Sequence, residues 1–166
     1  MERSITGTAA PEDCIAVSGL SYTAGLLKRK NIKADFDAEA IARLKKAGAI
    51  ALAVTNVSEL CMWMESDNNV YGRTSNPYHV GRIPGGSSGG EGAILGAGGS
   101  PVGIGSDVGG SFRMPAFFNG IFGHKPSTGL VNNQGQLPVT HGLIDTFLAT
   151  GPMSRYGKYL YASGLT

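Results

Sequence analysis

Apolar residues recur along this chain in two different rhythms. Over residues 37–48 the helical rhythm dominates: Asp37 and Glu39 open the segment, Arg43, Lys45 and Lys46 close it, and Gly48 follows. Ala40, Ile41, Leu44 and Ala47 share one narrow stripe, so the spacing predicts a capped helix with one buried face. The run Ala49-Ile50-Ala51-Leu52-Ala53-Val54 comes next without a polar break and predicts a strand buried on both faces. Helix followed by buried strand indicates the α/β class. A second short helix is expected from Ser58, through Glu59-Leu60-Cys61-Met62-Trp63.

Residues 65–86 are rich in Asn, Ser, Pro and Gly and read as one long irregular connection, a kind that usually serves function. At its end Ser88-Gly89-Gly90-Glu91 fits a capping box, with Ser88 as the cap of a small-residue helix over 92–97. Residues 101–105 then make a short strand. A turn over 106–111 leads into Phe112-Arg113-Met114 and puts Ser111 at or near a helix start. Turn and strand follow over 117–123, and residues 129–143 read as loop. No internal repeat is present.

Composition narrows the function classes. The 166 residues carry a formal charge of +2, and no basic run extends beyond Lys28-Arg29-Lys30, which argues against a nucleic-acid partner. Lys28, Lys30 and Lys33 lie in a polar stretch and read as solvated. Cys14 and Cys61 have neither zinc-ligand spacing nor disulfide density, so they read as free thiols in a reducing, intracellular compartment, with no metal site. No signal peptide opens the sequence, and no apolar run approaches the roughly 18 residues of a membrane span. The 26 glycines crowd between Gly81 and Gly123, as expected where backbone geometry excludes side chains.

Two of those glycine clusters frame serines. In Gly109-Gly110-Ser111, successive backbone N–H groups without neighbouring side chains can converge beside a hydroxyl, as an oxyanion hole requires. Taken alone, a glycine turn with a capping serine is the simpler reading. The second cluster is Gly85-Gly86-Ser87-Ser88-Gly89-Gly90. It also satisfies G-x-S-x-G, the nucleophile elbow of α/β-hydrolases, with Ser88 as nucleophile and Asp107 and His124 or His141 as partners. Against the elbow, a polar loop precedes it where a strand should end. There is no Walker A sequence and no G-x-G-x-x-G run opening a helix, so nucleotide binding is unsupported.

The order of the two serine sites, the Gly/Ala-rich segment between them and Gly105-Ser106-Asp107-Val108-Gly109-Gly110-Ser111-Phe112-Arg113 together resemble the amidase-signature family. Residues 55–63 and 113–127 are closest to its branch of fatty-acid amide hydrolases, and the likeness spans about 14–156. The resemblance implies a mixed twisted sheet covered by helices on both faces, and hydrolysis of a lipid amide without cofactor or metal. It implies that Ser111 is the acyl-forming nucleophile and that Ser87, after a cis peptide at Gly86, relays protons between Ser111 and a neutral lysine. Val108, Gly109, Gly110 and Ser111 would line the oxyanion hole. Asp107 and Arg113, which flank the nucleophile, read either as solvated charges or, as favoured in this setting, as a clamp that holds the turn by hydrogen bonds and a mutual ion pair. Membrane association would be expected of a full-length relative, and a homo-oligomer is possible.

The sequence departs from that family at its start. Aligning Ile15-Ala16-Val17-Ser18-Gly19 puts the expected lysine–glutamate pair on Glu12 and Asp13, so the base lysine is absent, and residues 1–13 do not resemble the expected strand. The reading is therefore an atypical segment, 1–13, joined to an incomplete amidase-signature domain, 14–166. An exposed sheet edge, poor solubility and inactivity are the expectations for such a piece, which could persist as a binding or regulatory remnant. Lys125 is assigned a structural or surface role. Met62, Trp63 and Met64 read as core in preference to the lining of an acyl channel, and the Asn56-Val57-Ser58 sequon as chance.

Overall fold

The computed structural model describes residues 7–162. The stripe over 37–48 becomes helix α1 (Glu39–Lys46), with Ala40, Ile41 and Leu44 buried and Arg43 paired to Glu39 one turn back at 2.8 Å. Gly48 follows with φ +97°, the left-handed conformation that ends helices and that glycine alone adopts freely. The chain then enters strand β2 (Ala49–Ala51).

β2 corrects the expectation of a strand buried on both faces. It is three residues long and lies at the sheet edge, in the order β2-β1-β5-β7-β6, where β1 is Gly7–Pro11, β5 Val102–Asp107, β6 Phe122–Gly123 and β7 Ala149–Ser154. Ile50 is 66% exposed and Leu52 50%. An apolar run reports hydrophobicity and not position in the sheet, so it cannot separate an edge from a centre. A second correction concerns residues 1–13. Residues 7–11 form β1, inside the sheet between β2 and β5 and parallel to both; residues 1–6 lie outside the described part. The sheet is mixed, because β7 runs antiparallel to β5 and β6 antiparallel to β7. A separate two-stranded ribbon joins β3 (Asp67–Asn68) and β4 (Gly72–Arg73) within the long polar connection.

Alternation along β5 shows that both faces are covered. Ile104 packs into the cluster that contains Ile15, Val17, Ile41 and Leu44, on the α1 side. Its neighbours Gly103 and Gly105 face the other way, toward helix α2 (Gly89–Gly96) and helix α3 (Arg113–Phe118). A Cβ on Gly105 would lie 2.8 Å from Ser88 Oγ and 3.0 Å from Phe112 Cβ, so the close seating of α2 requires glycine there. Leu95, Phe112, Ala116 and Met153 form the second core on this face. α2 carries four glycines, each costing about 1 kcal/mol of helix propensity relative to alanine, and burial of the helix offsets this.

β7 is unexpected from the sequence, since Gly151 and Pro152 weaken its strand signal. Its Gly151 faces Phe112 and Pro126, each 2.9 Å from where a Cβ would stand. The segment expected as a helix from Ser58 is a short 3-10 turn over Glu59–Cys61. The loop over 129–143 runs into another 3-10 turn, Gly142–Thr146, and α4 (Lys158–Ala162) follows β7. No helix among the described residues is long and apolar enough to cross a membrane.

Candidate active site

The long polar connection ends in a cis peptide between Gly86 and Ser87. Only glycine fits at 86, because a Cβ would lie 2.7 Å from the Met64 carbonyl carbon. One side chain holds the turn. Ser66 donates its hydroxyl to Ser87 O at 2.7 Å and accepts from the Gly89 N–H at 2.8 Å. Ser66 was not legible as a site residue, for nothing near it in sequence marks its reach across the fold. Ser88 N–H donates to Ser111 O at 3.1 Å, which ties the two glycine-framed serine turns together.

Ser88 precedes α2 but makes no side-chain cap, and Glu91 does not reach back to it; the expected capping box is not formed. Both side chains are drawn elsewhere. Ser88 Oγ donates to Glu12 Oε2 at 2.5 Å, and Glu91 accepts from Thr55 Oγ1 at 2.6 Å. A buried carboxylate accepts strongly from the Ser88 hydroxyl, and the first amide donors of α2 have other acceptors, Ser66 Oγ for the Gly89 N–H and Asn56 O for the Gly90 N–H. Buried Ser88, committed to Glu12, also does not meet the histidine that an α/β-hydrolase elbow needs, and the hydrogen bonds of Asp107 include neither His124 nor His141.

Past the end of β5, Asp107 organises the second turn. Its carboxylate is fully buried and accepts from Arg113 Nε at 2.9 Å, Arg113 Nη2 at 2.8 Å, Lys125 Nζ at 2.9 Å and the Gly110 N–H at 2.8 Å. Burial alone would push this carboxyl up, but the hydrogen bonds from Arg113 and Lys125 outweigh it and hold it below the usual aspartate value. The clamp expected of Asp107 and Arg113 is thus present, with Lys125 as a third, structural member that also donates to Val108 O at 2.8 Å. With the Gly110 N–H taken by Asp107, the N–H groups of Val108, Gly109 and Ser111 have no acceptor among the described residues. Val108 and Gly109 are exposed, so these donors open to solvent beside Ser111, just ahead of α3.

Glu12, where the sequence reading expects the family's lysine, is buried just past the end of β1. Cys14 Sγ donates to its Oε1 at 2.9 Å, Ser106 Oγ donates to the same oxygen, and Ser88 Oγ holds Oε2. Burial raises the Glu12 carboxyl, against the lowering effect of those three donors. Ser87 is not among its partners: the Ser87 hydroxyl is fully buried and unpaired among the described residues. Glu91 Oε2 is likewise unpaired, and burial holds the Glu91 carboxyl well above the usual range, with the nearby Glu12 adding to the rise. Asp13 turns the other way, to the Thr23 hydroxyl and N–H.

Met62, Trp63 and Met64 are 70%, 64% and 53% exposed, which corrects their reading as core. They form an apolar rim at the surface next to the cis turn, because the backbone of 63–65 packs on Gly86 while their side chains face outward. Asn56 is not free for modification: its Nδ2 donates to Gly72 O and Thr74 Oγ1, both at 2.9 Å.

The sequence profile of the Amidase family matches residues 12–158. Fatty-acid amide hydrolase 2-A of Danio rerio is 59% identical over 149 residues, which make up 90% of this chain and 28% of that protein. Among solved structures, an amidase family protein of Bacillus anthracis superposes with a TM-score of 0.86 at 27% identity, over 97% of this chain and 33% of that one. A fatty acid amide hydrolase superposes with a TM-score of 0.87 at 32% identity, over 95% and 28%. The chain therefore spans about a third or less of the length of these relatives.

Proposed function

Because this chain belongs to the amidase family, we propose that it serves hydrolysis of an amide bond, in a fatty-acid amide or related N-acyl amine, through a covalent acyl-Ser111 intermediate. One observation carries the reading. The cis-peptide turn at Gly86–Ser87 is tied through Ser88 N–H to Ser111, whose own turn offers the unengaged N–H groups of Val108, Gly109 and Ser111. In this reading Ser111 Oγ attacks the amide carbonyl, its proton passes by way of Ser87 to the leaving nitrogen, the C–N bond breaks to release the amine, and water then hydrolyses the acyl-Ser111 ester to the free acid. The three N–H groups receive the oxyanion, and the start of α3 adds positive potential where that charge gathers. The Gly110 N–H orients the turn through Asp107 and completes the wall of the hole. The fatty-acyl preference rests on the likeness to fatty-acid amide hydrolases, and the exposed rim of Met62, Trp63 and Met64 offers one apolar surface beside the cis turn that would suit it.

A second reading has a specific observation behind it. Where the family likeness leads us to expect an amine stands Glu12, whose carboxyl is committed to Cys14, Ser88 and Ser106, and the Ser87 hydroxyl has no acceptor among the described residues. A chain with this arrangement would keep the acyl-binding turn without efficient proton transfer, retaining about 10³–10⁴ over the uncatalysed rate, as serine proteases do when a triad member is removed. Fluorophosphonate labelling followed by peptide mass spectrometry separates the two. The amidase reading expects a tag on Ser111, lost in Ser111→Ala. The silent reading expects no tag until Glu12→Lys supplies an amine. Labelling of Ser88 instead would overturn both.

A further inference from the structure

Cys14 and Cys61 stand far apart in sequence, and nothing in their spacing suggests a shared role. The fold brings them together. Cys14 lies just beyond β1, Cys61 ends the 3-10 turn after Ser58, and their Sγ atoms and a Glu12 carboxylate oxygen all lie within 4.8 Å of one another. Both thiols are free. We propose that Cys14 Sγ, Cys61 Sγ and Glu12 Oε1 bind one thiophilic divalent cation, with Zn(II) the ion that best suits two sulfurs and one carboxylate oxygen.

The chemistry of the donor set supports this. Tetrahedral zinc takes sulfur at about 2.3 Å and carboxylate oxygen at about 2.0–2.2 Å, which spaces neighbouring donors roughly 3.5–3.8 Å apart. Cys14 Sγ and Glu12 Oε1 are now 2.9 Å apart, drawn in by the thiol hydrogen bond, and replacing that proton with an ion lets them separate by under an ångström. Outer-shell partners are already built. Ser88 and Ser106 donate to the Glu12 carboxylate and fix its plane, the role that hydrogen bonds to ligating carboxylates play elsewhere. Cys14 and Glu12 are fully buried, whereas Cys61 is partly exposed and gives the ion its way in.

Binding releases the two thiol protons to solvent and leaves two thiolates and one carboxylate around the ion. The residual single negative charge is shared with the Ser88 and Ser106 hydroxyls, and one tetrahedral position remains for water. None of the three ligands belongs to the 108–111 turn, so this site does not rest on the amidase reading.

The test uses the protein reduced with a phosphine and freed of metal. Native mass spectrometry with added Zn(II) should show one ion per chain, and Cd(II) should raise a thiolate-to-metal charge-transfer band in the ultraviolet. Metal should also protect both cysteines from iodoacetamide, read at the peptide level in the unmodified protein. Cys61→Ser, a change at a partly exposed turn, should abolish the band. Ser88→Ala, which removes only an outer-shell donor, should weaken binding by about 10–100-fold. The proposal is overturned if no ion binds at micromolar free metal, or if alkylation of the two thiols is unaffected by it. Stoichiometry unchanged in Cys61→Ser would mean an adventitious ion only, and would overturn it equally.

Discussion

Replacing Asp107 with asparagine tests whether the clamp on the Ser111 turn is a stabilising element. The substitution keeps the shape and one carbonyl oxygen but removes the charge and one acceptor. Two charge-assisted bonds from Arg113 and one from Lys125 converge on the carboxylate, together with the Gly110 N–H. A hydrogen bond to a charged group contributes about 1.5–3 kcal/mol, and removing one partner of a fully buried pair costs about 3–5 kcal/mol. Arg113 is half exposed and rehydrates, which lowers the loss; Lys125, at 20% exposure, rehydrates less. The expected destabilisation is therefore about 2–4 kcal/mol, or roughly 5–15 °C in Tm for a domain of this size. Urea unfolding at neutral pH, with the m-value unchanged, measures it.

The pH dependence supplies a second reading of the same variant. The Asp107 carboxyl titrates below its unfolded value in the folded protein, so its contribution is complete above the unfolded value and disappears as pH falls through the folded one. Asp107→Asn should remove that acid-side loss and leave the wild type and variant closer in stability at low pH than at neutral pH. A loss under about 0.5 kcal/mol at neutral pH would refute the reasoning, because it would place the cluster among surface ion pairs that water replaces at no cost.

Three other outcomes are expected. Ser66→Ala leaves the Gly89 N–H without its acceptor and frees the Ser87 carbonyl, and should cost about 1–3 kcal/mol in urea unfolding. Gly105→Ala presses a methyl between Ser88 and Phe112 and should cost about 1–3 kcal/mol by overpacking, read in the same assay. Ile50→Thr, on the open face of the edge strand, should change stability by no more than about 0.5 kcal/mol, whereas a strand buried on both faces would lose far more.

What the sequence revealed follows from how local each device is. The glycine-framed turns at 85–90 and 109–111 were legible because close backbone approach excludes side chains, and the constraint is written in the residues that meet it. Asp107 and Arg113 were legible for the same reason, since both sit on one short turn. Glu12 stood out in the sequence only against the lysine that the family resemblance leads one to expect there. Its donors come from residues 14, 88 and 106, and no window of sequence contains them. β1 escaped notice because Gly7-Thr8-Ala9-Ala10-Pro11 has little intrinsic strand preference, and pairing on both sides sets its conformation. Ile50 misled in the opposite direction, an apolar residue at an edge.

The place of β1 inside the sheet also bears on how the chain is made. β1 leaves the ribosome well before either of its partners, residues 49–51 and 102–104, and β5 in turn pairs with 149–154. At about 5–20 residues per second, β1 waits roughly 5–20 s for β5 to be synthesised. Through that interval one of its edges is uncovered, and the closure that finally covers it spans most of the chain. Synthesis rate and chaperone supply should therefore govern the yield of this fold more than its final stability does, and slowing translation before β5 should lower the yield.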